Sequence, residues 1–267
     1  MPRLNFAVPF TSASIFLMTL LSSPAHAVDA SGTRADLRAP KPVAGPIEAG
    51  VPLVDQAKGA VAIKTSQTKP RRLVIFLHGI RGSGSVMAAI GTSWQSILKD
   101  TRFVAPDAPF AHRSGGRQWF AVDDQVLRPD RIEGARKAFD KLMAGVVERE
   151  GFKGDLESVA FVGVSQGAIM ALDAVSSGRW KVGAVVSIAG LLPLPPKASA
   201  SASKIPVLLM HGEADQTIPS VASVAAAGQL RGAGYDVTLK LDPQVGHTIS
   251  SEEARQAVLF LRDRFDR

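Results

Sequence analysis

The sequence predicts an α/β protein with one mostly parallel central sheet and helices packed on both faces. Three observations carry that reading. Apolar runs of five to seven residues recur along the chain, as central strands buried on both sides require. Segments with helical periodicity separate them, and strand–helix alternation builds a parallel sheet. One of these strands, Val159-Ala160-Phe161-Val162-Gly163-Val164, runs straight into Ser165-Gln166-Gly167 and then a small, apolar helix. That order makes a strand-to-helix elbow with a serine at its tip, written G-x-S-x-G. Side chains two residues either side of the serine would collide there, and Gly163 and Gly167 remove them.

The 267 residues are 46% hydrophobic and 21% charged, proportions of a globular chain long enough for one large domain. The first 27 residues read as a secretory signal peptide. Arg3 supplies the positive start, Ile15 to Leu21 the apolar run, and Ala25-His26-Ala27 the small-x-small cleavage triplet. That run is short against the roughly 20 residues of a membrane span. Export to the periplasm or the medium is therefore expected, with no stable membrane anchor after cleavage. Residues 28–57, with Pro40, Pro42, Pro46 and Pro52, read as a flexible lead-in, and 58–267 as the folded domain.

Several functions are excluded early. The chain has no cysteine, so disulfides, thiolate metal sites and a cysteine nucleophile are ruled out. The net charge is +7, or +6 once Arg3 leaves with the signal, but the basic residues are scattered and no nucleic-acid motif accompanies them.

In order, the domain begins with a candidate strand at Val61 to Lys64, then the central strand Arg72 to Leu77. A glycine-rich loop, His78-Gly79-Ile80-Arg81-Gly82-Ser83-Gly84, follows. Its glycines fit neither G-x-G-x-x-G nor a G-K-[ST] phosphate loop, and it suits an oxyanion-binding turn better. A helix is expected over 86–99, a strand over 101–105, a long loop carrying Trp119 and Phe120, and an amphipathic helix after Asp130. Beyond the serine elbow come strands at 182–189, 205–210 and 235–241, helices at 221–230 and 251–266, and a low-complexity surface loop at 197–204.

A serine hydroxyl needs a base within hydrogen-bond reach, and that imidazole needs a carboxylate to hold its tautomer. In this class of fold the chain order is serine, acid, histidine. Of five histidines only His247 lies beyond every plausible acid. Asp173 falls on the helix after the serine, and Asp236 at the wrong end of its strand. Asp215, just past the C-terminal end of a central strand, is preferred, with Glu213 as the alternative. The expected triad is Ser165, Asp215 and His247. The backbone N–H groups of Gln166 and Ile80 are expected to form the oxyanion hole.

Leu77-His78-Gly79, Ala105-Pro106-Asp107-Ala108-Pro109, Trp119-Phe120, Gly163-Val164-Ser165-Gln166-Gly167, His211-Gly212-Glu213-Ala214-Asp215 and Gly246-His247-Thr248-Ile249 occur in sequence order. Together, over roughly residues 70–265, they resemble the phospholipase/carboxylesterase family, which includes the acyl-protein thioesterases. The resemblance implies an α/β-hydrolase core without a large lid, working on esters or thioesters with no metal or cofactor. It maps the triad to the same three residues. The chain departs from the family's Gly-Asp after L-H-G, carrying Arg81-Gly82-Ser83 instead. With the signal peptide, this favours a general esterase acting on a small-molecule ester over a thioesterase. A peptidase or polyester depolymerase on the same triad, or an idle binding protein on a hydrolase scaffold, are the alternatives. Trp119 and Phe120 either line the acyl pocket or pack in the core. Arg81, His112, Arg113 and Arg117 are candidates for a cationic mouth that favours anionic esters.

Overall fold

A computed structural model of the chain describes residues 61–63, 70–122, 128–197 and 205–266. These fall within one compact unit, Gly50–Arg267. The expected signal peptide, the expected lead-in and the expected surface loop at 198–204 lie outside the described residues.

Among the described residues, seven strands form the main sheet: β1 (Val61–Ile63), β2 (Arg72–Leu77), β3 (Thr101–Ala105), β6 (Val159–Val164), β7 (Ala184–Ile188), β8 (Pro206–Gly212) and β9 (Asp236–Asp242). Their spatial order is β1-β3-β2-β6-β7-β8-β9. Only β1 is antiparallel, pairing with β3, and the other six run parallel. A two-stranded hairpin, β4 (Phe110–Ala111) with β5 (Arg117–Gln118), stands apart. It lies where the sequence suggests only a loop, because two-residue strands leave no periodic signal.

Among the described residues, five α-helices cover the sheet: α1 (Gly84–Trp94), α2 (Pro129–Arg149), α3 (Gln166–Ser176), α4 (Val221–Gly232) and α5 (Ser251–Phe265). Helix α1 ends sooner than the expected 86–99, since Ile97 and Leu98 turn back to donate to the Trp94 carbonyl. Leu98 is thereby buried rather than carried along an exposed helix. Alternate residues of the strands feed two cores, one per face. Leu73, Ile75, Leu77, Phe161 and Val185 pack with α2, α3 and α4. Val74, Phe76, Phe103, Val162 and Val186 pack with α1 and α5. Strand β6 is buried along its whole length, so its C-terminal end is a rigid mount. No described helix is long and apolar enough to cross a membrane.

Candidate active site

Parallel strands bring their C-terminal ends to one edge of the sheet, and the loops there converge. Ser165 follows β6, the loop Gly79–Gly82 follows β2 beside it, Asp215 follows β8, and His247 follows β9.

The elbow at Ser165 is strained: φ is 52° and ψ −118°, outside the ordinary regions for a residue with a Cβ. Packing and hydrogen bonds hold it. Its N–H donates to the Ile188 carbonyl at 2.9 Å and its own carbonyl accepts from Ile169 at 3.0 Å. A Cβ on Gly163 would lie 2.5 Å from the Ala168 nitrogen, and one on Gly167 would run into the Leu77 carbonyl. The glycines are thus a steric requirement of strand and helix closing on each other.

The three expected residues meet. The Ser165 hydroxyl lies 2.8 Å from Nε2 of His247, and Nδ1 of His247 lies 2.7 Å from Oδ2 of Asp215. A carboxylate only accepts, so Nδ1 carries the proton, and the Nε2 lone pair receives the serine O–H. The Asp215 side chain is fully buried, while that of His247 is 14% exposed. Burial by itself would raise the Asp215 carboxyl. The hydrogen bond from His247 and the backbone N–H groups of Ile218 and Thr217 outweigh it, and the carboxyl is held below the usual carboxylate range. The two loops are stitched by backbone bonds, Glu213 N–H to Asp242 and Ala214 N–H to Val245. Glu213 itself is exposed. Asp173 is buried between Arg136 and Arg179, and Asp236 pairs with Arg264, so none of these three is on the imidazole.

A second imidazole reaches the same carboxylate. His211 is fully buried, with Nε2 3.1 Å from Asp215 Oδ2 and 2.7 Å from the Ile218 carbonyl. Both neighbours are acceptors, so Nε2 carries a proton. Nδ1 lies 2.7 Å from the Ser223 hydroxyl on α4. In the sequence His211 is only a structural residue at a strand end, and nothing there signals its reach to the acid.

Gly79 abuts the serine: a Cβ placed on it would be 3.4 Å from that of Ser165. This brings the Gly79–Gly82 turn, closed by a Gly82 N–H to Gly79 carbonyl bond of 3.1 Å, against the elbow. Gln166, as the first residue of α3, has a backbone N–H with no intrahelical acceptor. Ile80 lies in the facing turn. His78 clamps that turn from behind. Its Nδ1 donates to the Gly79 carbonyl at 2.7 Å, and its Nε2 accepts from the Ala108 N–H at 2.9 Å. Those partners require the neutral ring, and burial pushes its pKa down accordingly. The Gln166 side chain is a further tie that the sequence does not reveal. It accepts from the Trp119 N–H at 2.9 Å and donates to the Phe120 carbonyl at 2.8 Å.

Trp119 and Phe120 are both buried in the core that holds α2, with Trp119 edge-on to Phe139. The Trp119 indole N–H donates to the His78 carbonyl at 2.8 Å. Their packing is a core role directly behind the turn. Of the suggested cationic mouth, Arg117 is committed elsewhere, its guanidinium donating to the Ala108 and Pro109 carbonyls. Arg81 occupies the left-handed region at φ 62°, a conformation that costs a side-chain-bearing residue about 1 kcal/mol. Among the described residues, no group of three or more His, Asp or Glu is placed to hold a metal ion.

Comparison with known proteins follows the same lines. The phospholipase/carboxylesterase family model matches residues 58–264. Acyl-protein thioesterase 1 of Gibberella zeae is 29% identical over 209 residues, covering 71% of this chain and 88% of that protein. Esterase YpfH of Escherichia coli is 29% identical over 203 residues, covering 74% and 85%. The crystal structure of esterase PE8 superposes with a TM-score of 0.71 at 32% identity, covering 77% of this chain and 98% of that one.

Proposed function

The chain belongs to the phospholipase/carboxylesterase family of α/β-hydrolases, and we propose that within it the protein is an exported serine esterase working through Ser165, His247 and Asp215. It is a carboxylic ester hydrolase by kinship. The observation that supports this mechanism is the unbroken hydrogen-bonded chain from the Ser165 hydroxyl through His247 to Asp215.

The chemistry follows from that chain. The Ser165 oxygen attacks the ester carbonyl carbon while His247 Nε2 takes the hydroxyl proton. Asp215 holds the imidazolium in orientation and offsets its charge. The carbonyl oxygen becomes an oxyanion, received by the backbone N–H groups of Gln166 and Ile80. Collapse breaks the C–O bond, the alcohol leaves with the proton from His247, and Ser165 keeps the acyl group. Water then gives its proton to His247 and its oxygen to the acyl carbon. The acid departs, and the proton returns to Ser165. One ester and one water yield one acid and one alcohol.

A fluorophosphonate probe is expected to label the wild type and not Ser165→Ala. The same variant is expected to lose at least about a thousandfold in kcat/KM on p-nitrophenyl esters. Equal labelling of both proteins would refute the assignment. The relatives named as acyl-protein thioesterases keep thioesters in view as a second substrate class. The signal peptide favours oxygen esters outside the cytosol, and matched oxygen- and thioester pairs separate the two.

A further inference from the structure

Outside the triad, the least explained feature of this edge is the pair Arg81 and Arg113. Arg81 is the third residue of the turn that begins at Gly79, one step beyond Ile80, and that turn abuts Ser165. Its positive φ is the conformation a glycine takes without cost, yet the position holds an arginine. The turn is held by the β4–β5 hairpin: Arg117 N–H donates to the Gly82 carbonyl at 3.0 Å, and Gly116 packs against the Arg81 backbone so closely that a Cβ would overlap its carbonyl. His112 and Arg113 lie in the loop that joins the two hairpin strands. The hairpin therefore carries Arg113 to the same rim. Burial of the His112 ring, with the charges of Arg81 and Arg113, holds its pKa below the usual imidazole value.

Neither arginine has a carboxylate partner among the described residues, and both are exposed. Several other arginines among the described residues, Arg136, Arg179, Arg255 and Arg264, do pair with carboxylates. The carboxylate in the neighbouring loop, Asp107, accepts from the Gly84 N–H at the start of α1 instead. Two guanidinium groups without a carboxylate partner, one on the turn that abuts Ser165 and one on the hairpin tied to that turn, are donors suited to a planar anionic oxygen group.

Building on the esterase reading above, we propose that Arg81 and Arg113 recognise an anionic oxygen group on the substrate, so that the preferred ester is a small, soluble acid monoester rather than a neutral one. The fork geometry of each guanidinium fits a carboxylate held beyond the scissile bond, while the turn keeps Arg81 in register with the oxyanion donors.

The test compares the monomethyl esters of succinate, adipate and suberate with their neutral dimethyl esters, followed by pH-stat on the purified protein. The chain-length series covers the reach of the arginines. The readout is the ratio of kcat/KM for the best monoester to that of its diester. The wild type is expected to favour the monoester, and the ratio to fall about tenfold in the Arg81→Gly/Arg113→Gln double variant. Glycine relieves the backbone at position 81 and position 113 is exposed, so the variant is suited to fold. Raising salt from about 0.01 to 1 M, where the Debye length shrinks from about 30 to 3 Å, is expected to compress the wild-type ratio as well. A wild-type ratio at or below one, or a fall of less than threefold in the double variant, overturns the proposal while leaving the esterase reading intact. Cleavage of neither ester set overturns both. Sedimentation of the wild type with phosphatidylglycerol vesicles, coupled to equal mono- and diester rates, would assign the arginines to a lipid surface and overturn the proposal too.

Discussion

A single carboxylate carries more of the proposed site than any other group. Asp215 accepts from two imidazoles at one oxygen and from two backbone N–H groups at the other. Removing the His211 donor makes the carboxylate more basic, which stabilises the His247 imidazolium. His211→Asn is therefore expected to shift the acid limb of the kcat/KM–pH profile upward by about half to one unit, the worth of one hydrogen bond. A purely structural role would lower the rate without moving that limb. Asp215 also links folding to pH. Its folded pKa is depressed, so its stabilisation is complete above the unfolded value near 3.9 and is lost as pH falls through the folded one. Thermal melts from pH 7 to 3 are expected to show a shallower acid decline for Asp215→Asn than for the wild type. At this scale the meeting of Ser165, His247 and Asp215 was legible from the chain, because only one histidine follows the acids. The His211 and Gln166 ties were not, since a side chain that bonds across 4 residues or 47 leaves no spacing rule.

Elements hold these residues by their ends. Helix α5 starts with a full capping box: Ser250 accepts from the Glu253 N–H, and the Glu253 side chain accepts from the Ser250 N–H. The box fixes the helix three residues beyond His247. Ser250→Ala is expected to cost about 1 kcal/mol in urea denaturation and to lower kcat with it, because the histidine loop loses its downstream anchor. Gly167→Ala is expected to do far more, with a sharp loss of soluble yield, as its Cβ has no space beside the Leu77 carbonyl. Central strands were readable because burial on both faces leaves continuous apolar runs, and β3 matches the expected 101–105 residue for residue. The β4–β5 hairpin and the early end of α1 were hidden, the first by its brevity and the second by a tertiary turn at Trp94.

Across the molecule, the layer formed by α2 and α3 is locked by charge as well as by apolar packing. Asp173, buried on α3, accepts two bonds from Arg136 on α2 and one from Arg179. Asp173→Ala strands those guanidinium groups, and a loss of about 3 kcal/mol in denaturant unfolding is expected. The proposed export makes a different whole-chain prediction: N-terminal sequencing of protein recovered from the periplasm or medium is expected to begin at Val28. Finally, the three tryptophans are all buried and fall on opposite sides of the sheet, Trp94 in one core and Trp119 and Trp180 in the other. With one tyrosine in the chain, ultraviolet emission comes almost wholly from these indoles. Silencing Trp94 with phenylalanine leaves a lamp on one side only, so comparing its melting trace with that of the parent tells whether the two halves of the sandwich come apart together or in turn.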